Sequence, residues 1–346
     1  MTIETPTRKL ASVQRIEDLT PIPGADAILR SRVLGWTQVV RLDEVEAFRA
    51  SGDLCVFFEI DAQLPDGPAW SEFMRKHQFV VRTVRLRGVL AQGLALPVSI
   101  LGEGPVPPVG TDVSERLGVV HYEREVPDDH RICGPFPPLV PKTGELRLQS
   151  YPGVLDDIRG HAFYVTTKID GVSGTFYQPL DGGPLVACQR NWSAAPGDHP
   201  IWRIVDRYDL RVAIPSGLAV QGELAGPGVP GKKNRLGLKE MEFFVFNVYD
   251  VRRDRFLNYH EIVAFCRDRG LRMVPVERVV EGQEAAEYVH TLEGWLQAAQ
   301  GCYEGTTVRK EGIVVRPVDL VRSEALGGSR LSFKVINNDF LLKDQA

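Results

Sequence analysis

Lys168 and Asp170 stand two residues apart in the run Thr166-Thr167-Lys168-Ile169-Asp170-Gly171-Val172-Ser173-Gly174. A lysine amine is a poor nucleophile while protonated. Nearby cations or loss of water lower its pKa and free the lone pair. A companion carboxylate can hold a divalent cation through its oxygens or through waters. Lys-x-Asp-Gly therefore has the make-up of a covalent-catalysis site, and equally of a solvated turn lysine. Residues 162–165 ahead of it and 172–177 behind it are apolar and alternating, and read as strands. That reading puts Lys168 at the mouth of a hairpin, aimed into a cleft, with Gly171 allowing the tight turn.

Four later segments also read as strands, three of them carrying a charged residue. In 218–224, Glu223 and Gln221 share the face opposite Leu218 and Val220. Residues 243–248, including Phe246, are nearly all apolar and read as a buried strand. Glu311 opens the apolar run 312–316, and Lys334 opposes the face of Phe333 and Val335. Taken singly, a glutamate at a strand start is solvated and a lysine on a last strand blunts an edge. Taken together, Lys168, Lys334, Asp170, Glu223 and Glu311 suit phosphoryl transfer. There, cations and a metal spread charge over the phosphates while positioning does the rest.

The elements that must position them form two groups. The chain has 346 residues, enough for two cores, with 43% hydrophobic and 25% charged residues. Its net charge of −4 announces no nucleic-acid partner, so a phosphate-binding surface has to be local. The five scattered cysteines form no Cys-x-x-Cys pair, which points to reduced thiols in a cytoplasmic protein. There is no signal pattern and no apolar run of membrane-spanning length, so no membrane partner is expected.

Residues 8–100 read as short strands, with 54–60 the most apolar, and suggest a small closed barrel. In 79–93, alternation places Arg85 and Arg87 on one face and Val84 and Leu86 on the other. That is either a solvated barrel face or a phosphate-binding stripe on an OB-type module. Residues 102–142, with two Pro/Gly runs around the acidic stretch 122–129, read as a linker, with a domain boundary near 130. Residues 1–130 are then the barrel with its linker, and 131–346 a strand-rich α+β domain. Within it 259–270 and 284–301 read as helices ended by glycine.

The ordered series Lys168-x-Asp170-Gly171, Arg190-Asn191, Gly222-Glu223, Phe244-x-Phe246, Glu311-Gly312 and Phe333-Lys334 resembles the motifs of the covalent nucleotidyltransferase superfamily. That superfamily comprises ATP-dependent DNA ligases, RNA ligases and mRNA capping guanylyltransferases. The match spans about residues 142–340. With Lys334 shortly before Ala346 there is no room for a carboxy-terminal OB domain, and the extra module lies at the amino terminus. The chain thus resembles the nick-sealing RNA ligases of family five, as does the stretch 141–149. Many relatives have Lys-x-Lys in the last motif. Here Ser332 replaces the first lysine, leaving Lys334 alone or aided by Arg330.

The resemblance implies an α+β fold: an amino-terminal OB-type β-barrel followed by an antiparallel-sheet adenylyltransferase domain. It implies that Lys168 attacks ATP to give lysyl-AMP, that Lys334 contacts the α-phosphate and helps depress the pKa of Lys168, and that Asp170 and Glu311 bind Mg2+ or Mn2+. Arg190 and Glu223 would hold the ribose, Phe246 would stack on adenine, and Gln149 and Thr167 would meet the adenine edge. The basic loop 226–235 could track substrate phosphates. The expected partners are RNA or RNA/DNA duplex ends, chiefly nicks, for a monomeric enzyme. The rival readings are a DNA ligase, a guanylyltransferase, and a non-catalytic nucleic-acid-binding protein with a degenerate transferase domain.

Overall fold

A computed structural model describes residues 9–87, 89–122 and 131–343. They fall into two compact units, built on Pro6–Val126 and Pro127–Phe340. The expected boundary near 130 and most of the acidic stretch 122–129 lie outside the described residues.

The first unit runs β1 (Ala11–Arg15), β2 (Asp18–Pro21), β3 (Ile28–Val33), β4 (Trp36–Arg41), helix α1 (Val45–Ala50), β5 (Leu54–Phe58), β6 (Val84–Leu86), β7 (Val89–Ala91) and β8 (Leu94–Pro97). Two three-stranded ladders, β1-β5-β8 and β2-β3-β4, make up its wall. They close on each other at both ends: Glu17 N bonds Arg32 O at 2.8 Å, and Gln92 N bonds Thr37 O at 2.8 Å. Closure removes the sheet edges, as expected for an OB-type barrel. The apolar run of β5 is explained by burial on both faces. Cys55 and Phe57 join Trp36 and Phe48 in one cluster, while Val56 and Phe58 join Val13 and Leu96 in another.

Two expectations fail in this unit. Residues 102–122 are not a linker. Gly110 N bonds Val13 O at 2.7 Å, Val113 N bonds Ala11 O at 2.9 Å, and Val113, Leu117 and Val119 are buried. The flank beyond the boundary is also structured. Ile132–Pro135 is a strand of the second unit, and Phe136 and Val140 are buried there. The arginine stripe does not form as drawn either. β6 and β7 make a hairpin whose turn begins at Arg87, with φ 48°, so alternation ends before it. Val84 and Leu86 are exposed. The side chain of Arg85 lies outside the described residues.

The second unit contains two sheets. One has the strand order β9 (Ile132–Pro135), β14 (Trp192–Ala194), β13 (Val186–Cys188), β12 (Val172–Tyr177), β15 (Leu218–Ala225) and β16 (Glu242–Asp250), with two short strands on β16. The other has β10 (Leu146–Arg147), β19 (Phe333–Ile336), β18 (Gly312–Pro317), β11 (Phe163–Lys168) and β17 (Val276–Val280). Pairing is antiparallel except for β10 on β19 and Arg272–Met273 on β16. Helices α2 (Pro200–Arg207) and α3 (Tyr259–Asp268) cover the outer face of the first sheet, through Ile201, Ile204, Ile262 and Phe265. Phe163, Val165, Ile313, Val315, Phe333 and Val335 form the outer face of the second, under Trp295 and Ala299. Alternation then turns Lys168, Lys334, Gln221 and Glu223 to the inner faces.

The strands on either side of Lys168 exist as expected, but they are not a hairpin. β11 pairs with β18 and β17, while β12 pairs with β15 and β13. The chain crosses from one sheet to the other at Ile169–Gly171. None of those residues takes the positive φ that the commonest two-residue hairpin turns need. Ile169 is instead buried against Ala225, Phe244 and Val274. Gly171 is required for close approach: a Cβ there would lie 2.2 Å from Leu224 O.

The expected helix 284–301 is two helices, α4 (Gly282–Glu287) and α5 (Leu292–Ala298). Thr291 caps the second by accepting from Gly294 N at 3.0 Å, and Val289 between the two helices is exposed. Helix α6 (Asn338–Lys343) follows β19. No helix among the described residues is long and apolar enough to cross a membrane. All five cysteines are free.

Gly312 has φ +152°, and a Cβ there would lie 2.1 Å from Val335 O. Gly171→Ala and Gly312→Ala are each expected to cost roughly 1–3 kcal/mol. The measurement is a lowered urea midpoint with an unchanged slope.

Candidate active site

Ladder register assembles the centre. Lys168 lies opposite Gly312, Val314 opposite Lys334, and Lys334 beside Arg147. Glu311 therefore arrives next to Lys168, and Lys168 Nζ stands 2.7 Å from Glu311 Oε2. Asn337 N holds Glu311 by its carbonyl at 2.9 Å. From the opposite sheet, β15 delivers Glu223, paired with Ser173.

Burial pushes the Glu223 carboxyl up to about 7, with Glu311 and Asp170 adding to the rise and Lys168 and Lys232 opposing it. Burial likewise lowers Lys334 to about 7. Arg147, Lys168 and Arg190 reinforce that shift, and Glu311 resists it. The two sheets thus bring together Lys168, Glu223, Glu311 and Lys334, as the sequence implied, with Arg190 in electrostatic reach from an exposed position after β13. A carboxyl and an amine both driven towards neutrality in one cleft make this the candidate functional site.

Asp170 is joined to this group in an unexpected way. Lys232 Nζ lies 2.6 Å from Oδ1 and Arg235 Nε 2.8 Å from Oδ2. Burial pushes this carboxyl up, but the bonds from Lys232 and Arg235 outweigh it and hold it below the usual carboxylate range. The basic loop 226–235 is therefore aimed at the active site. Asp170 N also donates to the buried Tyr303 hydroxyl at 3.1 Å. Neither contact was foreseen; the clustered cations of the loop were the available signal.

A second polar cluster ties the sheets together further along the cleft. The buried Arg316 donates to Phe246 O at 2.9 Å, to Ser332 Oγ at 3.0 Å and to Glu145. Ser332 donates in turn to Glu145. Arg330 Nη1 reaches Asn247 Oδ1 at 3.1 Å and stacks on Phe256, with its guanidinium 3.9 Å from the ring centroid. Arg330 is thus not an auxiliary cation at Lys334. It lines a separate cavity of about 750 Å³ with Glu145, Asn247, Phe256 and Ser332. Ser332, the departure noted in the last motif, belongs to this clasp between sheets.

One further expectation changes. Thr167 points to the outer face, where its hydroxyl donates to Glu277 Oε1 at 2.8 Å, so its side chain cannot meet an adenine edge. Period two on β11 puts it opposite Lys168. Gln149 is buried just past Arg147. Phe246 sits at a β-bulge on β16, packed against the cluster of Ile169, Ala225, Phe244 and Val274. Arg147 was missed as a site residue, although its alternation with Leu146 and Leu148 could have revealed it.

The candidate metal donors, Asp170 and Glu311, are both carboxylates, and no group of three or more His, Cys, Asp or Glu gathers among the described residues. That donor set fits a hard divalent cation that keeps several waters and takes its other ligands from phosphate oxygens.

Lys334 offers a check on this electrostatic picture. Its pKa in the folded chain lies below its ordinary value of 10.5, so the native state resists the proton. The resulting stability penalty is full below about 7 and fades as pH rises towards 10.5. Lys334→Met is therefore expected to raise the urea midpoint at about pH 7 and to raise it less at about pH 10.

Comparison with known proteins agrees with this geometry. A family model described as RNA ligase matches residues 161–336, and one described as an OB-fold domain matches residues 10–98. No curated protein sequence matches significantly. Among solved structures, Naegleria gruberi RNA ligase with pyrophosphate is similar at 31% identity and a TM-score of 0.75, over 98% of this chain and 99% of that one. A mutant of that ligase with AMP and manganese gives 31% and 0.75, over 97% and 99%. Another, with ATP and manganese, gives 30% and 0.75, over 97% and 99%. Matched by the family over more than half its length and by those ligases almost end to end, the chain belongs to the RNA ligase family and carries an OB-fold domain ahead of its ligase domain.

Proposed function

We propose that the protein is an ATP-dependent RNA ligase that works through lysyl-AMP and seals nicks in duplexes whose 3′-hydroxyl strand is RNA, as in RNA repair. The observation that carries the chemistry is the Lys168–Glu311 pair at 2.7 Å, in a cleft shared with Glu223 and Lys334. The OB-fold domain supports the nucleic-acid reading, since such modules dock strands.

In the first step Lys168 Nζ, once deprotonated, attacks the α-phosphorus of ATP. A P–N bond forms, the bond to the β-phosphate oxygen breaks, and pyrophosphate leaves. In the second, an oxygen of an RNA 5′-phosphate attacks the same phosphorus, releases Lys168 and leaves an adenylylated end. In the third, a 3′-hydroxyl attacks the 5′-phosphate and AMP departs. Bound Mg2+ or Mn2+ would supply positive charge at the reacting phosphates. Glu311 and Asp170 would hold it, directly or through waters. To do so, Glu311 turns from Lys168, and Asp170 is freed when Lys232 or Arg235 yields. Lys334, in electrostatic reach of Lys168, would contact the α-phosphate. Glu223 and Arg190 would hold the ribose, Phe246 would stack on adenine and Gln149 would meet its edge. Residues 1–130 would dock the nucleic acid and 131–346 perform the chemistry.

Incubation with α-labelled ATP and manganese, followed by denaturing electrophoresis, tests the first step. Wild-type protein should carry label and Lys168→Ala none; label on that variant removes the nucleophile. A panel of nicks with RNA or DNA on each side tests the substrate. Sealing that is indifferent to an RNA 3′-hydroxyl strand, or confined to free single strands, would overturn the nick reading. Deleting residues 1–130 should spare self-labelling more than sealing, and equal loss of both would show that the module serves folding or chemistry rather than substrate docking.

A further inference from the structure

We propose that Glu277 is a positioning residue, clasping the nucleophile strand to the strand of Glu311 from behind the sheet. The inference rests on Lys168 as nucleophile and Glu311 as its catalytic carboxylate. Each of these is immediately preceded by a residue bound to the same glutamate. Thr167 Oγ1 donates to Glu277 Oε1 at 2.8 Å, and Lys310 Nζ contacts Glu277 Oε1 at 2.8 Å and Oε2 at 2.6 Å.

The strand order makes this a bridge. β11 lies between β18 and β17, so the ion pair from Lys310, just ahead of β18, to Glu277 on β17 passes behind β11. Thr167 bonds into it midway. The Lys310 side chain is only 6% exposed and that of Glu277 29%, so the lysine end of the pair is shielded from water.

The ladder needs such a clasp here. The β11–β17 pairing shifts register between Val165 and Thr166, and Thr167 N bonds Pro275 O rather than a partner within β17. On the other side Gly312 takes φ +152°, an unusual value at the first residue of β18. Regular pairing therefore lapses on the β17 side, while the β18 side keeps register up to Lys168 and Gly312. Glu277 spans the gap, and through Thr167 and Lys310 it sets the separation of the Lys168 amine and the Glu311 carboxylate.

Glu277→Ala would leave Lys310 buried without a partner, which is strongly destabilising by itself. The informative variant is the double substitution Glu277→Leu with Lys310→Met, which removes both charges and keeps the volume. It should melt near the wild-type temperature. Its affinity for ATP, measured by calorimetry in a Lys168→Ala background, should stay within about threefold, because the loss is not one of ground-state binding. Its single-turnover rate of lysyl-AMP formation should fall at least about tenfold, since an ångström of misplacement can cost about a hundredfold. Glu277→Gln, which keeps an acceptor for Thr167, should recover most of that rate. A double variant with the wild-type rate overturns the proposal, as does a fall in rate matched by an equal fall in ATP affinity. Wild-type protein that takes no label overturns the nucleophile assignment and the clasp with it. Labelled wild-type protein beside an unaffected double variant overturns the clasp alone.

Discussion

The ion pair between Lys168 and Glu311 is the contact on which the ligase unit turns. It forms only because two antiparallel strands keep register, Lys168 against Gly312, so that a side chain at the end of one meets a side chain just before the start of the other. Everything around it serves that meeting. The outer face of the sheet is packed with Phe163, Val165, Ile313, Val315 and Phe333 under Trp295. Burial of that face fixes which residues turn inwards, because a slip of one residue would exchange the two faces.

The site holds charge in an arrangement that folding alone would not choose. Glu223 and Lys334 are both driven towards neutrality by burial, and each is a cost to stability near neutral pH. Asp170 is satisfied by two cations from a loop, and Lys168 by the carboxylate of Glu311. The resting centre is thus a set of internal pairs that phosphate and metal would have to exchange. Exchange of that kind lets a polar cleft stay folded without ligand, since an unpaired buried charge costs far more than a paired one.

Much of this could be read from the chain alone, for a physical reason. Strand period two assigns a face to every residue of a strand, so Lys334 opposite Phe333 and Val335, and Glu223 opposite Val220 and Leu224, were legible from sequence. What alternation cannot report is which strands pair. The segments flanking Lys168 were legible as strands, but their membership of separate sheets was not, because it depends on partners far along the chain. Thr167 shows the opposite failure: its parity was available, yet the family likeness drew it towards the nucleotide. The cations on Asp170 and the Arg316–Glu145 clasp join residues from 62 to 171 positions apart, separations over which local pattern carries no information. The arginine stripe and the linker failed for want of tertiary context, one ending in a turn and the other folding back on β1.

The crossing at Ile169 gives the site a mechanical character. Lys168 belongs to one sheet and Asp170 leads into the other, so the segment from Lys168 to Asp170 straddles a seam. A sliding of the sheets too small to break a single ladder would still pull the amine and the carboxylate out of alignment. The joint is pinned by a buried isoleucine on one side and by an arginine reaching across to a main-chain oxygen on the other. The alignment of the Lys168 amine with the Asp170 carboxylate is therefore only as stiff as that joint.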